Sequence, residues 1–432
     1  MPGGGAGRFG DLVPAGGTGR TNTGKGAVVV REGEGDGPLA GTVVIDLTRV
    51  LAGPYCTMLL ADLGARVIKI EKPHTGDDAR HIGPFVAERS AYFLSLNRGK
   101  ESIALDLQAP PYESEGQALR AMRDRTLFER LLARADVLVE NFRPGAMARL
   151  GYGWDALHAR FPRLVYAAIS GFGQTGPLAA RPAYDLVVQA MGGIMSITGQ
   201  PGAPPTRVGT SIGDITAGLF GALGISSALR HRERTGEATL VDVAMLDCQV
   251  AILENAIARY AATGEVPAPI GSRHPSITPF EAFPSADGHL VVAAGNDALF
   301  RRLAATLELP SLADDARFAT NEARCRNVDA LRELLSQRLR TQPTATWTAR
   351  LEAAGIPCGP IQNVAQVLDH PQVRARNMVV GVADPALDAA FPVAGNPIKS
   401  PAFDDPTARP AAPALDADRA SILRWLDDEE TR

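Results

Sequence analysis

Asp214 stands in the run Val208-Gly-Thr-Ser-Ile-Gly-Asp214-Ile-Thr-Ala-Gly218. With Gly213 before it and Gly218 four residues on, the carboxylate lies where backbone lets a ligand approach closely. The small apolar stretch Leu219 to Leu229 that follows reads as a buried helix, so Asp214 falls in its first turn or just before it. Two chemistries are open to it. It can cap the helix by accepting backbone N–H groups, or it can act as a nucleophilic carboxylate at the mouth of a cleft, forming a covalent intermediate. The motif does not choose between them.

The elements around it narrow the choice. Thr42 to Leu47 reads as a strand, Pro54 to Leu63 as a helix opened by a proline at its first position, Gly64 as its stop, and Arg66 to Glu71 as the next strand. Such a β-α-β unit with continuously apolar strands marks a parallel sheet covered on both faces. The alternation continues through strand Ser102 to Leu107, helix Thr126 to Arg134, strand Asp136 to Glu140 and strand Leu164 to Ile169. A helix Asp242 to Thr263 then leads away, and Pro267 and Pro269 mark a linker. A second domain over 270–355 carries strand His289 to Ala294 and helices near 297–307, 328–340 and 343–354, and a short helix near Arg419 to Leu426 closes the tail. The expected organisation is a leader over 1–37, a large α/β domain over 38–240, a helical linker over 241–269, a small domain over 270–355, and 356–432 returning to the large domain.

Composition excludes several functions. The 432 residues are 45% hydrophobic and 21% charged with a net charge of -4, which is ordinary for a globular protein and offers no basic surface for nucleic acid or anionic lipid. No apolar run is expected to reach the ~18 to 20 residues of a membrane span. Cys56, Cys248, Cys325 and Cys358 form no paired motif, and the seven histidines make no HxxxH or HExxH pattern, so neither a zinc site nor a disulfide framework is expected. A reducing, cytoplasmic compartment follows as the expectation. Residues 1–37 are poor in apolar periodicity and read as a disordered leader. Within them Gly19-Arg-Thr-Asn-Thr-Gly24-Lys25-Gly26 imitates a phosphate-binding loop, but Gly26 replaces the magnesium-binding hydroxyl and no strand precedes it. Gly171-Phe-Gly173-Gln-Thr-Gly176 is formally GxGxxG, yet Pro177 and Pro182 follow where a helix should start, so it reads as a turn or a glycine-rich ligand loop.

Seven ordered runs carry a resemblance: Asp46-Leu-Thr-Arg-Val-Leu-Ala-Gly-Pro54, Leu63-Gly-Ala-Arg-Val-Ile-Lys-Ile-Glu-Lys72, Asn97-Arg-Gly-Lys100, Ala135-Asp-Val-Leu-Val-Glu-Asn-Phe-Arg-Pro-Gly145, Arg181-Pro-Ala-Tyr-Asp-Leu-Val-Val-Gln-Ala190, Gly209-Thr-Ser-Ile-Gly-Asp214 and Gly355-Ile-Pro-Cys-Gly-Pro360. Over about 38–400 the chain resembles the class III CoA-transferases, the CaiB–BaiF family that includes formyl-CoA:oxalate CoA-transferase. The resemblance implies an α/β fold, a large Rossmann-like parallel-sheet domain built from both ends of the chain with a smaller α+β domain inserted, and two chains interlocked as rings in a homodimer. It implies coenzyme A and acyl-CoA as substrates rather than a resident cofactor. Asp214 becomes the nucleophile that carries CoA as an aspartyl thioester while acids exchange. Val50 and Leu105 are implied as apolar walls for adenine or pantetheine, Lys72 and Arg149 as phosphate partners and Asn141 as a pantetheine contact. Arg181 stands beside a basic CoA contact of the family, out of register.

The family also contains α-methylacyl-CoA racemases, which carry a histidine base where this chain has Tyr184. Racemisation needs acid/base groups on both faces of a carbon, and a phenol does not replace an imidazole near neutral pH. Tyr184 with Asp185 is the transferase pattern. A non-catalytic CoA-binding module is the third reading, against which the intact Gly213-Asp214 pair speaks. Gly271-Ser-Arg-His-Pro-Ser-Ile-Thr-Pro-Phe280 lacks the glycine run of the formyl-CoA enzyme. It is more similar to members that use succinyl-CoA with glutarate or related dicarboxylic or hydroxy-dicarboxylic acids. There Arg273 or His274 would pair with a distal carboxylate, or the segment is a structural turn held by Pro275.

Overall fold

A computed structural model describes residues 37–108 and 110–430. The leader, with its imitation phosphate loop, lies outside the described residues. The chain divides into two compact units: residues 37–193, 209–254 and 369–430 form the first, and 194–208 with 255–368 the second.

The first unit is built on six parallel strands: β1 Val43–Asp46, then helix α1 Ala52–Asp62, β2 Arg66–Glu71, β3 Glu101–Ala104, helix α2 Glu115–Arg134, β4 Val137–Glu140 and β5 Val165–Ser170. Helices α3 Asp185–Met191 and α4 Ile212–Thr235 precede β6 Leu240–Ala244, and α5 Met245–Ala251 follows it; α6 Glu254–Thr263 then belongs, but for its first residue, to the second unit. The order across the sheet is β3-β2-β1-β4-β5-β6, all neighbours parallel. That is the doubly wound order of a Rossmann fold, which reverses direction between β1 and β4. Alternate strand residues serve opposite faces, as the two-residue period requires. Val44, Val67, Val139 and Val165 pack with α1 and α4, whereas Ile45, Ile68, Leu138 and Tyr166 pack with α2 and the C-terminal helix.

The second unit holds an antiparallel sheet of β7 Phe280–Pro284, β8 His289–Ala293 and, beyond helices α7 Asp297–Thr306, α8 Val328–Leu339 and α9 Thr344–Ala353, β9 Cys358–Pro360. Its core centres on Phe283, Leu290, Phe300, Leu335 and the fully buried Trp347. The chain then re-enters the first unit through a small sheet of β10 Val379–Ala383, β11 Phe391–Ala394 and β12 Ala408–Pro410, and ends in α10 Arg419–Glu430. Ile422 and Leu426 of α10 are buried on the α2 face of the sheet. The tail also covers the sheet's open edge, where Asp418 and Asp416 accept the Ser102 and Ala104 N–H groups of β3, each at 2.8 Å.

Four sequence expectations change. α1 begins at Ala52, so Pro54 is its third residue rather than its first, still within the turn whose N–H groups have no helical partner. α2 begins eleven residues before Thr126. The segment read as one helix from Asp242 is the last sheet strand followed by two helices, because the alternating Leu240-Val-Asp-Val-Ala244 adds to β5 before the helical period starts. Finally, α4 is long and apolar enough by composition to cross a membrane, with a mean hydropathy of 1.4 over its most apolar window. Half of that window is buried within the protein, and the helix packs on α1 as a core element.

Candidate active site

The N-terminal turn of α4 carries Asp214 as its third residue. Glycine inside a helix costs about 1 kcal/mol against alanine, so the glycines of this helix need a reason. Packing supplies it. A Cβ on Gly213 would lie 2.6 Å from Val188 Cγ2, and one on Gly218 would lie 2.8 Å from the Ala52 carbonyl and 2.9 Å from Tyr55 Cδ1. Both glycines are buried. They let α3 and α1 close on α4, so the neighbours of Asp214 serve helix contact rather than the close ligand approach read from the motif.

Asp185, at the start of α3, accepts the Gly213 N–H at 2.8 Å and the Gln189 amide at 2.8 Å. Its charge faces Asp214. Burial, reinforced by Asp185, raises the Asp214 carboxyl to about 7. Among the described residues the Asp214 carboxylate has no hydrogen bond or ion pair. It caps nothing and is half-buried. The phenol of Tyr92 is raised by burial and then by Asp214, Asp77 and Asp185, which places this tyrosine in the field of the same carboxylate.

Beside α4 lies the loop joining β1 to α1. Val50 there has φ +67, a left-handed conformation that a β-branched side chain rarely adopts. Fixed partners hold it. Asp77 accepts the Val50 N–H at 3.0 Å, while Asn141, just past β4, accepts the Arg49 N–H at 2.9 Å and donates to the Arg49 carbonyl at 2.8 Å. Asp77 pairs with Lys69 at 2.8 Å, whose ammonium also donates to the Thr48 carbonyl at 2.6 Å. Under the loop the buried Lys100 donates to Asp46, Thr57, Asn97 and the Pro54 carbonyl at 2.7 to 3.2 Å. Burial brings its ammonium down to about 8. Burial works against the Asp46 carboxylate, yet Lys100 and Lys69 outweigh it and hold Asp46 at about 2. Val50 and Asn141 thus meet where the strand order reverses, the place where doubly wound sheets bind ligands.

A cavity of about 990 Å³ opens past the C-terminal ends of β2 and β3. Leu47, Ile70 and Leu105 form its apolar floor, Lys72 stands on one side, and Gln117, Arg120 and Arg123 of α2 stand on another. Leu105 is at once core and cavity wall, being only 3% exposed. Lys72 and Leu105 are therefore brought together, and Val50 with Asn141 form a second group. Arg149 ends the turn Ala146–Arg149 with its guanidinium close to Gly145, outside the cavity lining, although the next residue, Leu150, lines it. Arg181 lies 6.0 Å over the Phe172 ring. The next helix after the Gly171–Gly176 run starts only at Asp185, and two of the run's N–H groups are taken, that of Gly173 by the Ser170 hydroxyl and that of Gln174 by Asp242.

Tyr184 precedes α3 and is 76% exposed, so it is not a packed aromatic of the described unit. In the second unit His274 is engaged locally: its backbone N–H bonds the Phe280 carbonyl, its Nδ1 accepts the Ser276 N–H at 3.1 Å, and its ring meets Phe280 edge-on. That is a structural turn. Its neighbour Arg273 is half-buried with no ion pair among the described residues. The described residues contain no group of three or more His, Cys, Asp or Glu arranged to hold a metal ion.

The fold and the site define an α/β protein with a doubly wound sheet, a cavity past the C-terminal ends of its strands, and a half-buried carboxylate that has no hydrogen bond or ion pair among the described residues. The family model for CoA-transferase family III matches residues 39–419, and the chain belongs to that family. An acetyl-CoA:oxalate CoA-transferase of Acetobacter aceti is 48% identical over 92% of this chain and 97% of its own. A succinyl-CoA:mesaconate CoA-transferase of Haloarcula hispanica is 41% identical over 88% and 94%. The crystal structure of a CaiB/BaiF family protein from Brucella suis, 39% identical, superposes with a TM-score of 0.78 over 90% of this chain and all of its own. The protein is thus a CoA-transferase, an enzyme that works on CoA thioesters.

Proposed function

We propose that this enzyme moves CoA from succinyl-CoA to a dicarboxylic acid through a thioester on Asp214. The observation that carries the reading is the Asp214 carboxyl itself: half-buried, without a hydrogen bond or ion pair among the described residues, and raised by burial and Asp185 to about 7. The carboxylate attacks the thioester carbonyl and expels CoA thiolate, leaving a mixed anhydride. The thiolate attacks the Asp214 carbonyl and releases succinate, so CoA is now held as the aspartyl thioester. The acceptor carboxylate repeats the exchange in reverse order and leaves as its CoA ester, with Asp214 restored. Each bond made resembles the bond broken, so no outside energy source is required.

Lys72 and Leu105 bind the nucleotide end of CoA, with Arg149 close by. Val50 and Asn141 guide the pantetheine toward Asp214. In an interlocked dimer Asp214 of one chain would face the 271–280 loop of the other. There Arg273, which has no ion pair among the described residues, takes the distal carboxylate and His274 shapes the turn; Tyr184 is a further substrate contact. The exposed apolar side chains Leu186, Met191, Leu219, Phe220 and Leu223 supply a face for a second chain, in keeping with an interlocked dimer. The free thiols of all four cysteines suit a cytoplasmic enzyme.

The relative that uses acetyl-CoA and oxalate, at 48% identity, favours a second reading with that donor and acceptor. A panel of succinyl-CoA and acetyl-CoA against oxalate, glutarate, mesaconate and citramalate decides between them. The main reading expects transfer from succinyl-CoA to a longer dicarboxylate, with a CoA adduct on Asp214 trapped by hydroxylamine or borohydride and located by mass spectrometry. Deuterium wash-in at C2 of a 2-methylacyl-CoA would move the enzyme to the racemases.

A further inference from the structure

We propose that Arg120 and Arg123 of α2 form, with Lys72 across the cavity, the clamp that holds a phosphate group on the nucleotide end of CoA. The inference rests on the reading of acyl-CoA as substrate and adds residues that neither the motifs nor the family match assigned. Arg120 and Arg123 are spaced i,i+3 and so share one face of the helix, and both line the cavity. Like charges at that spacing repel, and Asp124, four residues beyond Arg120 on the same helix, accepts the Asp106 N–H and makes no ion pair with either arginine. Neither guanidinium has a hydrogen bond or ion pair among the described residues. Arg125, two residues on, shows what a structural arginine does here: it donates to the Leu107 and Leu150 carbonyls and lies 4.7 Å over the Tyr152 ring.

The carboxylates of the same cavity are mostly committed. Glu71 is taken by Arg80 and Ser102, and Asp416 by Arg419 and the Ala104 N–H. Asp124 accepts the Asp106 N–H at 2.8 Å, and Asp106 accepts the Gln108 N–H at 3.1 Å. Three cations therefore remain uncommitted around an apolar floor, with Glu113 the least engaged acid. A ligand that suits such a chamber has a flat apolar part and a multiply charged anionic part. An adenosine bearing phosphates is that ligand, and arginine's forked donors match phosphate oxygens.

Wild type and the variant Arg120→Ala/Arg123→Ala are compared by calorimetric binding of free CoA and by kinetics with acyl-CoA, acyl-3′-dephospho-CoA and acyl-pantetheine. The clamp predicts CoA binding at least about tenfold weaker and a matching rise in KM with kcat kept. It predicts no difference between the two proteins on acyl-pantetheine, which carries neither the diphosphate nor the 3′-phosphate. Equal behaviour on the dephospho substrate assigns the clamp to the 3′-phosphate, and a persisting tenfold loss assigns it to the diphosphate. Both side chains are exposed, so the melting temperature should hold, and Arg120→Lys/Arg123→Lys should recover part of the affinity through charge alone. Unchanged CoA binding in the alanine variant overturns the clamp. A wild type that binds CoA but transfers it to no acid overturns the proposed reaction instead.

Discussion

A carboxylic acid that titrates near neutrality is a nucleophile only above its pKa. With Asp214 held up to about 7, kcat/KM should rise roughly tenfold from pH 6 to a plateau above pH 8. Asp185→Asn removes the like charge, so the acid limb should move to lower pH while the amide oxygen still receives the Gly213 N–H. The linkage to stability has the opposite sign. A carboxyl whose folded pKa lies above its unfolded value supports the fold at low pH and loses that support as pH rises through about 7. Asp214→Asn should therefore abolish transfer yet melt no lower than wild type, with its advantage larger at pH 8 than at pH 5. A variant keeping more than a few per cent of the rate would remove Asp214 from the mechanism. At Val50 two effects oppose. Glycine relieves left-handed strain of about 1 to 2 kcal/mol but adds unfolded-chain entropy worth about 0.5 to 1 kcal/mol. Val50→Gly should therefore leave stability unchanged or raise it by about 1 kcal/mol, and raise the KM for the CoA donor, because the loop loses its fixed course. In the second unit, Arg273→Ala should raise the KM for a dicarboxylate far more than for the acyl-CoA.

At the scale of elements, the glycine contacts of α4 and the buried lysine under the β1 loop carry the strain of assembly. Gly218→Ala gains helix propensity of about 1 kcal/mol, but its methyl meets a backbone carbonyl that cannot turn aside. The steric term wins, and urea unfolding should report a net loss of about 1 to 3 kcal/mol. Lys100→Met leaves Asp46 buried beside one remaining cation and should cost about 3 to 5 kcal/mol. The strands and most helices were legible because their periods are strong: β2 is Arg66–Glu71 as read, and α7, α8 and α9 begin at or within a residue of their expected starts. The first half of α2 was not. Leu119 and Met122 are exposed there, so no apolar stripe marks it, and only Ser114 with Gln117 three residues later signals the start. Arg120 and Arg123 were missed with it. Asp77 and Tyr92 were missed for another reason: residues separated along the chain converge only after the sheet forms, and neither carries a local pattern. Asp214 could be found because its motif is contiguous, although the role of its glycines could not be told from spacing alone.

For the whole molecule, the apolar side chains left uncovered on α3 and α4 predict association. If two chains interlock as proposed, the threaded rings separate only by unfolding, so mass photometry at nanomolar concentration should find a dimer, and a freely exchanging monomer would refute the threading. The β3 edge has a consequence in time as well as in space. Its N–H groups at Ser102 and Ala104 are met by Asp418 and Asp416, more than 300 residues later in the chain. A ribosome adding ~5 to 20 residues per second needs about 15 to 60 s to cover that distance. For that interval the nascent sheet presents an unpaired edge, the surface on which strands of other molecules add. A chain ending before Asp416 would keep that edge open permanently, and it should be recovered as aggregate where the 432-residue chain stays dispersed. The closing helix is thus also a completion signal: until the last turn has emerged, the first domain begun cannot be the first domain finished.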